Sequence, residues 1–293
     1  MTTTAIRFFR RAPRFLVNAC LPVAIAMLPA CSGSALRVED TLTERADAGV
    51  RDAPDRTSDR AVEVFEAGAG DTTVVFESGL GDDWTPWQQV ADEVSAQARV
   101  FAHSRPGYGH SDLTEDPRAA SDIVEELRTL LAARGYAPPY VLVGHSFGGA
   151  YMELFAKAYP EEVVGLVLVD PRHRDFTAAC AEAGLDGCGI PRDLLASLPP
   201  VQIAEYEAFA STSDEIRAAG TFGSYPVRVL TATSHGFAPQ VEALWVSLLH
   251  SLADEAADGE QKVFTGAGHY LQVQHPHEVA ETVISLVSSA PAN

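Results

Sequence analysis

The sequence predicts an α/β fold, a mainly parallel sheet with helices packed on its faces. Short strand-like runs alternate with stretches of helical periodicity, and most of the strand-like runs are apolar on both faces, as in strands buried between helix layers. Size agrees: 293 residues, 46% hydrophobic and 21% charged, suit one globular domain with a full core, plus appendages.

The elements follow in order. Thr72-Thr73-Val74-Val75-Phe76-Glu77 is a strand of β-branched and aromatic residues, ended by Ser78-Gly79. A second strand, Arg99-Val100-Phe101-Ala102, leads into the turn Arg105-Pro106-Gly107-Tyr108-Gly109. Residues 119–134 carry Ile123, Val124, Leu127, Leu130 and Leu131 at helical spacing, with Gly135 as the stop. The buried-strand run Tyr140-Val141-Leu142-Val143 runs into Gly144-His145-Ser146-Phe147-Gly148-Gly149, and a helix follows through Tyr159 to Pro160. Residues 163–169 are an apolar strand broken only by Gly165. Residues 227–230 are another, and residues 261–264 the last. A helix from near Pro276 is expected to bury Val279, Val283, Ile284 and Val287. Residues 171–225 interrupt the rhythm with two amphipathic stretches and several prolines. They read as a small helical cap over the C-terminal edge of the sheet.

The first 60 residues are different in kind. Arg7, Arg10, Arg11 and Arg14 precede an apolar run over residues 15–28, the layout of an export signal at residues 1–30. Asn18 and Pro22 interrupt the run, which is short for a transmembrane helix. Leu28-Pro29-Ala30-Cys31, followed by Ser32-Gly33-Ser34, resembles a bacterial lipobox. That resemblance implies cleavage before Cys31, a lipid on its sulfur and a membrane anchor; ordinary signal cleavage and an uncleaved anchor are the alternatives. Residues 31–60 are polar, without apolar periodicity, and read as a tether. The folded domain is expected over residues 61–289, on an exported protein facing the periplasm or cell exterior.

A formal net charge of −19 argues against binding a phosphate backbone, which needs clustered Lys and Arg, so no nucleic-acid partner is expected. Of four cysteines, Cys20 and Cys31 belong to the signal. Cys180 and Cys188 remain, close enough to form a small disulfide loop in an oxidising compartment, with two free thiols as the alternative. Neither has the spacing or His company of a zinc site.

Gly144-His145-Ser146-Phe147-Gly148 matches G-x-S-x-G directly after a strand and before a helix. Such a turn needs small neighbours and projects the Ser hydroxyl at a helix N-terminus, where free N–H groups favour developing negative charge. With this motif in place, the chain from about 61 to 289 resembles an α/β-hydrolase. Phe76-Glu77-Ser78-Gly79-Leu80-Gly81 is similar to the segment that supplies half of that family's oxyanion hole. Ser104-Arg105-Pro106-Gly107-Tyr108-Gly109-His110-Ser111 is similar to its D-R-P-G-x-G-x-S turn, with Ser104 in place of the Asp. Residues 163–170 resemble its sixth strand, and Gly266-Ala267-Gly268-His269-Tyr270 the loop that carries its catalytic His. The cap then lies between the family's sixth and seventh strands.

The resemblance implies Ser146 as nucleophile and His269 as its base. His275 and His277 read as surface or capping residues, and His145 as pointing elsewhere. The family usually places the triad acid after its seventh strand, but Thr231-Ala232-Thr233-Ser234-His235-Gly236 holds no carboxylate. The sixth strand ends in Asp170, the position some members use; Glu242 and Asp254 are the alternatives. The backbone N–H groups of Leu80 and Phe147 are the expected oxyanion donors. Trp84 and Trp87 read either as pocket lining or as aromatics covering the sheet; Trp245, at helical spacing with Val241, Leu248 and Leu249, reads as core.

The expected function is hydrolysis of a small-molecule acyl substrate, foremost a carboxylic ester, through an acyl-enzyme. No metal or organic cofactor is implied. A peptidase, thioesterase or cofactor-free haloperoxidase would use the same groups. A non-catalytic binding protein on this scaffold is the alternative of another class.

Overall fold

The computed structural model describes residues 55–56 and 60–290. The signal, Cys31 and most of the tether lie outside the described residues. A seven-stranded sheet forms from β1 (Val64–Ala67), β2 (Thr73–Glu77), β3 (Arg99–His103), β4 (Tyr140–His145), β5 (Val163–Val169), β6 (Val227–Ala232) and β7 (Gly259–Phe264). Their order is β1-β3-β2-β4-β5-β6-β7. Only β1, an edge strand that the patterning did not reveal, runs antiparallel to its neighbour.

Successive residues of a strand face opposite sides, and the cores divide accordingly. Val75, Phe101, Leu142, Leu166 and Leu168 enter one apolar cluster. Val74, Val100, Val141, Val143 and Val167 enter the other. Helices α2 (Ala120–Ala133), α3 (Phe147–Ala158) and α8 (Pro239–Asp254) cover the first face; α1 (Gln88–Ser95) and α10 (Pro276–Ser289) cover the second. The five apolar residues expected to face inward from α2 are all buried. In α10 the buried set is Val279, Ala280, Val283 and Leu286, while Ile284 and Val287 are only partly buried. Leu286 also explains Gly165: a Cβ there would lie 2.8 Å from Leu286 Cδ2, so the glycine lets α10 approach β5 closely.

Between β5 and β6 stand four short helices, α4 (Phe176–Glu182), α5 (Arg192–Leu195), α6 (Pro200–Glu207) and α7 (Phe209–Ala218). Cys180 and Cys188 are joined by a disulfide with an S–S distance of 2.08 Å. A buried ion cluster fastens this segment to the sheet. Glu205 of α6 accepts from Arg105 Nε and Nη2 at 3.1 and 3.0 Å, from Arg118 at 3.2 Å and from the Tyr108 hydroxyl at 2.8 Å. A buried charge is tolerable only when paired in this way.

Candidate active site

Ser146 sits between β4 and α3 with φ 52°, ψ −119°, a left-handed conformation that costs a non-glycine residue about 1–3 kcal/mol. The turn is held by its neighbours. Ser146 N–H donates to Val169 O at 3.3 Å, and Ser146 O accepts from the N–H groups of Gly149 and Arg172 at 3.0 and 2.8 Å. The flanking glycines are required by contact: a Cβ on Gly144 would lie 2.5 Å from Gly148 O, and one on Gly148 2.4 Å from Ser78 O.

Asp170, the residue after β5, also has positive φ (45°) and is fully buried. Its carboxylate is saturated. Oδ1 accepts from Ala232 N–H at 3.0 Å and from Trp245 Nε1–H at 2.9 Å. Oδ2 lies 2.6 Å from His269 Nδ1 and 2.6 Å from His235 Nε2. Burial alone would raise its pKa, but the hydrogen bonds from His235 and His269, with their charges, outweigh burial and hold it well below the usual carboxylate range.

His235 occupies the segment after β6, where the resemblance expects the acid. Its side chain is buried, and Nδ1 lies 2.5 Å from Glu242 Oε1. A carboxylate at each ring nitrogen favours the imidazolium, in which both nitrogens donate. Burial opposes that charge, but Asp170 and Glu242 together raise the His235 pKa. Glu242 therefore reaches His235 and not His269, and Asp254 is an exposed residue 3.7 Å from His250. Of the three carboxylates weighed for the acid, the structure brings only Asp170 to His269.

His145 does not simply turn away. Its Nε2–H donates to His269 O at 3.0 Å, and its ring packs 4.5 Å from the His269 ring and 5.0 Å from Tyr270. Burial and the neighbouring His269 push its pKa down to about 3, so it is a neutral prop under the His269 loop. His277 is exposed beside Glu93, and His275 precedes α10 and faces Glu278, as expected for surface and capping residues.

The loop after β2 passes directly beside the serine: a Cβ on Gly79 would lie 3.3 Å from Ser146 Cβ. Arg105 orients this loop, donating from Nη1 to Ser78 O at 2.6 Å and from Nη2 to Gly79 O at 2.9 Å, with Glu77 2.5 Å from Nη1. Because a trans peptide points its C=O and N–H in opposite directions, fixing Gly79 O also aims the Leu80 N–H away from Arg105. Phe147 opens α3, so its N–H has no partner within the helix. Ser104, standing where the family's turn has Asp, donates to Glu63 Oε2 at 2.6 Å and accepts from Trp84 N–H at 3.2 Å. Glu63 thus supplies the missing carboxylate.

Trp84 and Trp87 are core aromatics, which corrects the pocket reading. Trp84 stacks on Phe65 with centroids 4.5 Å apart, and Trp87 is fully buried against Phe76. Helical spacing marked Trp245 as buried but gave no sign of its bond to Asp170. Arg105 and His235 had likewise no site role at the level of sequence, and Glu242 entered only as an alternative for the triad acid. Asp170, His235 and His269 present ligand atoms within 4.8 Å of one another, a grouping with metal-site residue types. Each imidazole nitrogen there already shares Oδ2 at hydrogen-bond distance, and Glu242 holds the far side of His235. The donor set is complete as a hydrogen-bonded chain.

A parallel sheet with a strained Ser at a strand-to-helix turn and a His–Asp pair at the neighbouring strand ends defines a hydrolase of the α/β type. Residues 74–282 match the alpha/beta hydrolase family, and the chain belongs to it. It is 26% identical over 215 residues to the uncharacterized protein YqjL of Bacillus subtilis (strain 168), covering 72% of this chain and 82% of that protein. It is 27% identical over 263 residues to a 2-hydroxymuconate semialdehyde hydrolase of Pseudomonas sp. (strain CF600), covering 78% of this chain and 91% of that protein. Among solved structures it is similar to an alpha/beta hydrolase fold protein from Burkholderia ambifaria, with TM-score 0.59, 21% identity, and 81% and 98% of the two chains covered.

Proposed function

We propose that this hydrolase is a serine esterase that cleaves a carboxylic ester through an acyl-enzyme. The observation that carries the reading is the 2.6 Å approach of His269 Nδ1 to the buried, ionised Asp170, beside a serine held at a strained turn. An Asp in that position fixes the tautomer that leaves His269 Nε2 free to accept a proton, and stabilises the imidazolium that results. Ser146 Oγ gives its proton to Nε2 and bonds to the ester carbonyl carbon. The oxyanion is held by the N–H groups of Leu80 and Phe147, each worth about 3 kcal/mol of transition-state stabilisation. The carbon–oxygen bond to the alcohol breaks, and His269 returns the proton to the leaving alcohol. Water then attacks the acyl carbon, gives a proton to His269 and releases the acid, and Ser146 recovers its proton. An ester is favoured over an amide because an alcohol leaves more easily than an amine.

The test is turnover of short p-nitrophenyl esters by the domain lacking residues 1–31, compared with Ser146→Ala and His269→Ala. Release of p-nitrophenol that vanishes in both variants supports the reading; equal release in all three overturns it. Export and a lipid at Cys31 belong to the same proposal and are checked by metabolic labelling of the full chain with a fatty acid. Label that persists in Cys31→Ser overturns the anchor.

A further inference from the structure

Arg105 and Arg118 are buried and Arg172 is partly buried, and Arg172 differs from the other two in its partners. Arg105 and Arg118 each meet carboxylates: Glu77 and Glu205 for the first, Glu126 and Glu205 for the second. Arg172, two residues after Asp170, forms no ion pair with any described residue. Its Nη2 donates to Thr177 Oγ1 at 2.7 Å and to Cys188 O at 3.0 Å, both neutral. Its Nε is buried without a partner. The rings of Phe176 and Phe209 flank the guanidinium carbon at 4.8 and 5.6 Å. Burial with no nearby carboxylate lowers its pKa to about 10. Placing an uncompensated charge there is costly, and such a cost is removed when an anion arrives from outside.

There is room for one. A groove of about 500 Å³ runs between α4 and the α6–α7 pair, with Arg172 and Phe147 among the residues that line it. Small side chains, Ala178, Ala181 and Ala210, leave its walls open. Arg174 and Arg217 also line it, and Glu207 is its one acidic lining residue. Both already serve carboxylates, Arg174 those of Glu153 and Glu255, Arg217 that of Asp175. Arg172 alone is uncommitted. The groove adjoins the nucleophile turn through two of its lining residues: the backbone N–H of Arg172 donates to Ser146 O at 2.8 Å, and Phe147 follows Ser146 in the chain.

We propose that this groove binds the acidic end of the substrate, so that the ester hydrolysed at Ser146 carries a carboxylate held by Arg172. The inference rests on the esterase reading. A guanidinium and a carboxylate form a strong, directional pair when both leave water.

Two p-nitrophenyl esters of equal chain length separate this inference from the reading beneath it: p-nitrophenyl valerate, which is neutral, and p-nitrophenyl hydrogen glutarate, which ends in a carboxylate. The wild type is expected to show kcat/KM at least about tenfold higher for the acidic ester. Arg172→Gln should abolish that preference, read as the ratio of kcat/KM for the two esters within the one variant. Ala210→Glu, at an exposed wall position, should erode the preference without touching Arg172's structural bonds; it carries the test if Arg172→Gln does not fold. Binding of glutarate by calorimetry needs no turnover, and should weaken at least about tenfold in either variant. Hydrolysis of both esters without preference, or glutarate affinity unchanged by the variants, overturns the anion site and leaves the esterase standing. Loss of all hydrolysis with Arg172-dependent glutarate binding supports the anion site and overturns the esterase.

Discussion

The ends of β5 and β6 are neighbours in the sheet and carry opposite solutions to one requirement. β5 ends in Asp170, a carboxylate with four hydrogen bonds to its two oxygens. The segment after β6, the family's usual place for the acid, holds His235 backed by Glu242. There His235 places a ring N–H donor on Asp170 where the family's usual arrangement places a carboxylate. Its effect on the neighbouring Asp170 is to keep that carboxylate ionised in a site from which water is excluded. On the proposed reading, the acid stands one strand before the family's usual place, and the segment after β6 supports it through His235.

Breaking the β5 side should have the largest effect. Asp170→Asn keeps the shape but can favour the wrong His269 tautomer, and kcat on p-nitrophenyl esters is expected to fall about 10⁴-fold. A fall below tenfold would move the acid elsewhere. Because the folded-state pKa of Asp170 is lowered, its stabilising contribution is present above the usual Asp range and is lost as pH falls through its depressed value. The stability gap between wild type and Asp170→Asn should therefore narrow in strong acid, which thermal melts against pH would show.

Breaking the β6 side should cost less. His235→Gln removes one charged donor from Asp170 and is expected to lower kcat about 10–100-fold, with KM little changed. The sign of its pH dependence is opposite. The His235 pKa is raised above 6.5, so its stabilising contribution is complete below that value and is lost as pH rises through the raised one. The difference in Tm between wild type and His235→Gln should be greatest near pH 6 and shrink in alkali. A gap that widens with pH would mean that the ring is neutral in the fold. Glu242→Gln should be the mildest, a loss of a few-fold in kcat. It should also bring the alkaline stability loss to lower pH, because one of the two groups raising His235 is gone.

These two strand ends also separate what was readable in the chain from what was not. The turn at Ser146 is a local device, spelled out by Gly144, Gly148 and Gly149 within a few residues of a buried strand. Asp170 was readable for the same reason, as the carboxylate that closes the apolar strand following the nucleophile's helix. His235 and Trp245 converge on Asp170 from 65 and 75 residues away, with Glu242 behind His235, and their roles depend on side-chain direction, which spacing does not encode. Trp245 looked like core because it is core; only its indole N–H faces the site. Arg105 was hidden inside a turn of family-like sequence. Its partner Glu205 comes from the cap, 100 positions later. Glu63 could replace the Asp expected at Ser104 because β1 lays it alongside, and that edge strand was not visible in the hydrophobic pattern.

The most direct measurement is covalent. A fluorophosphonate that reacts only with an activated serine should label the folded domain at a single residue, identified by mass spectrometry of its peptides. The account predicts that residue to be Ser146. It predicts labelling abolished in Ser146→Ala, lost in His269→Ala and slowed about 10⁴-fold in Asp170→Asn. No labelling of a well-folded wild type, or labelling of Ser146 at the same rate in His269→Ala, would contradict it.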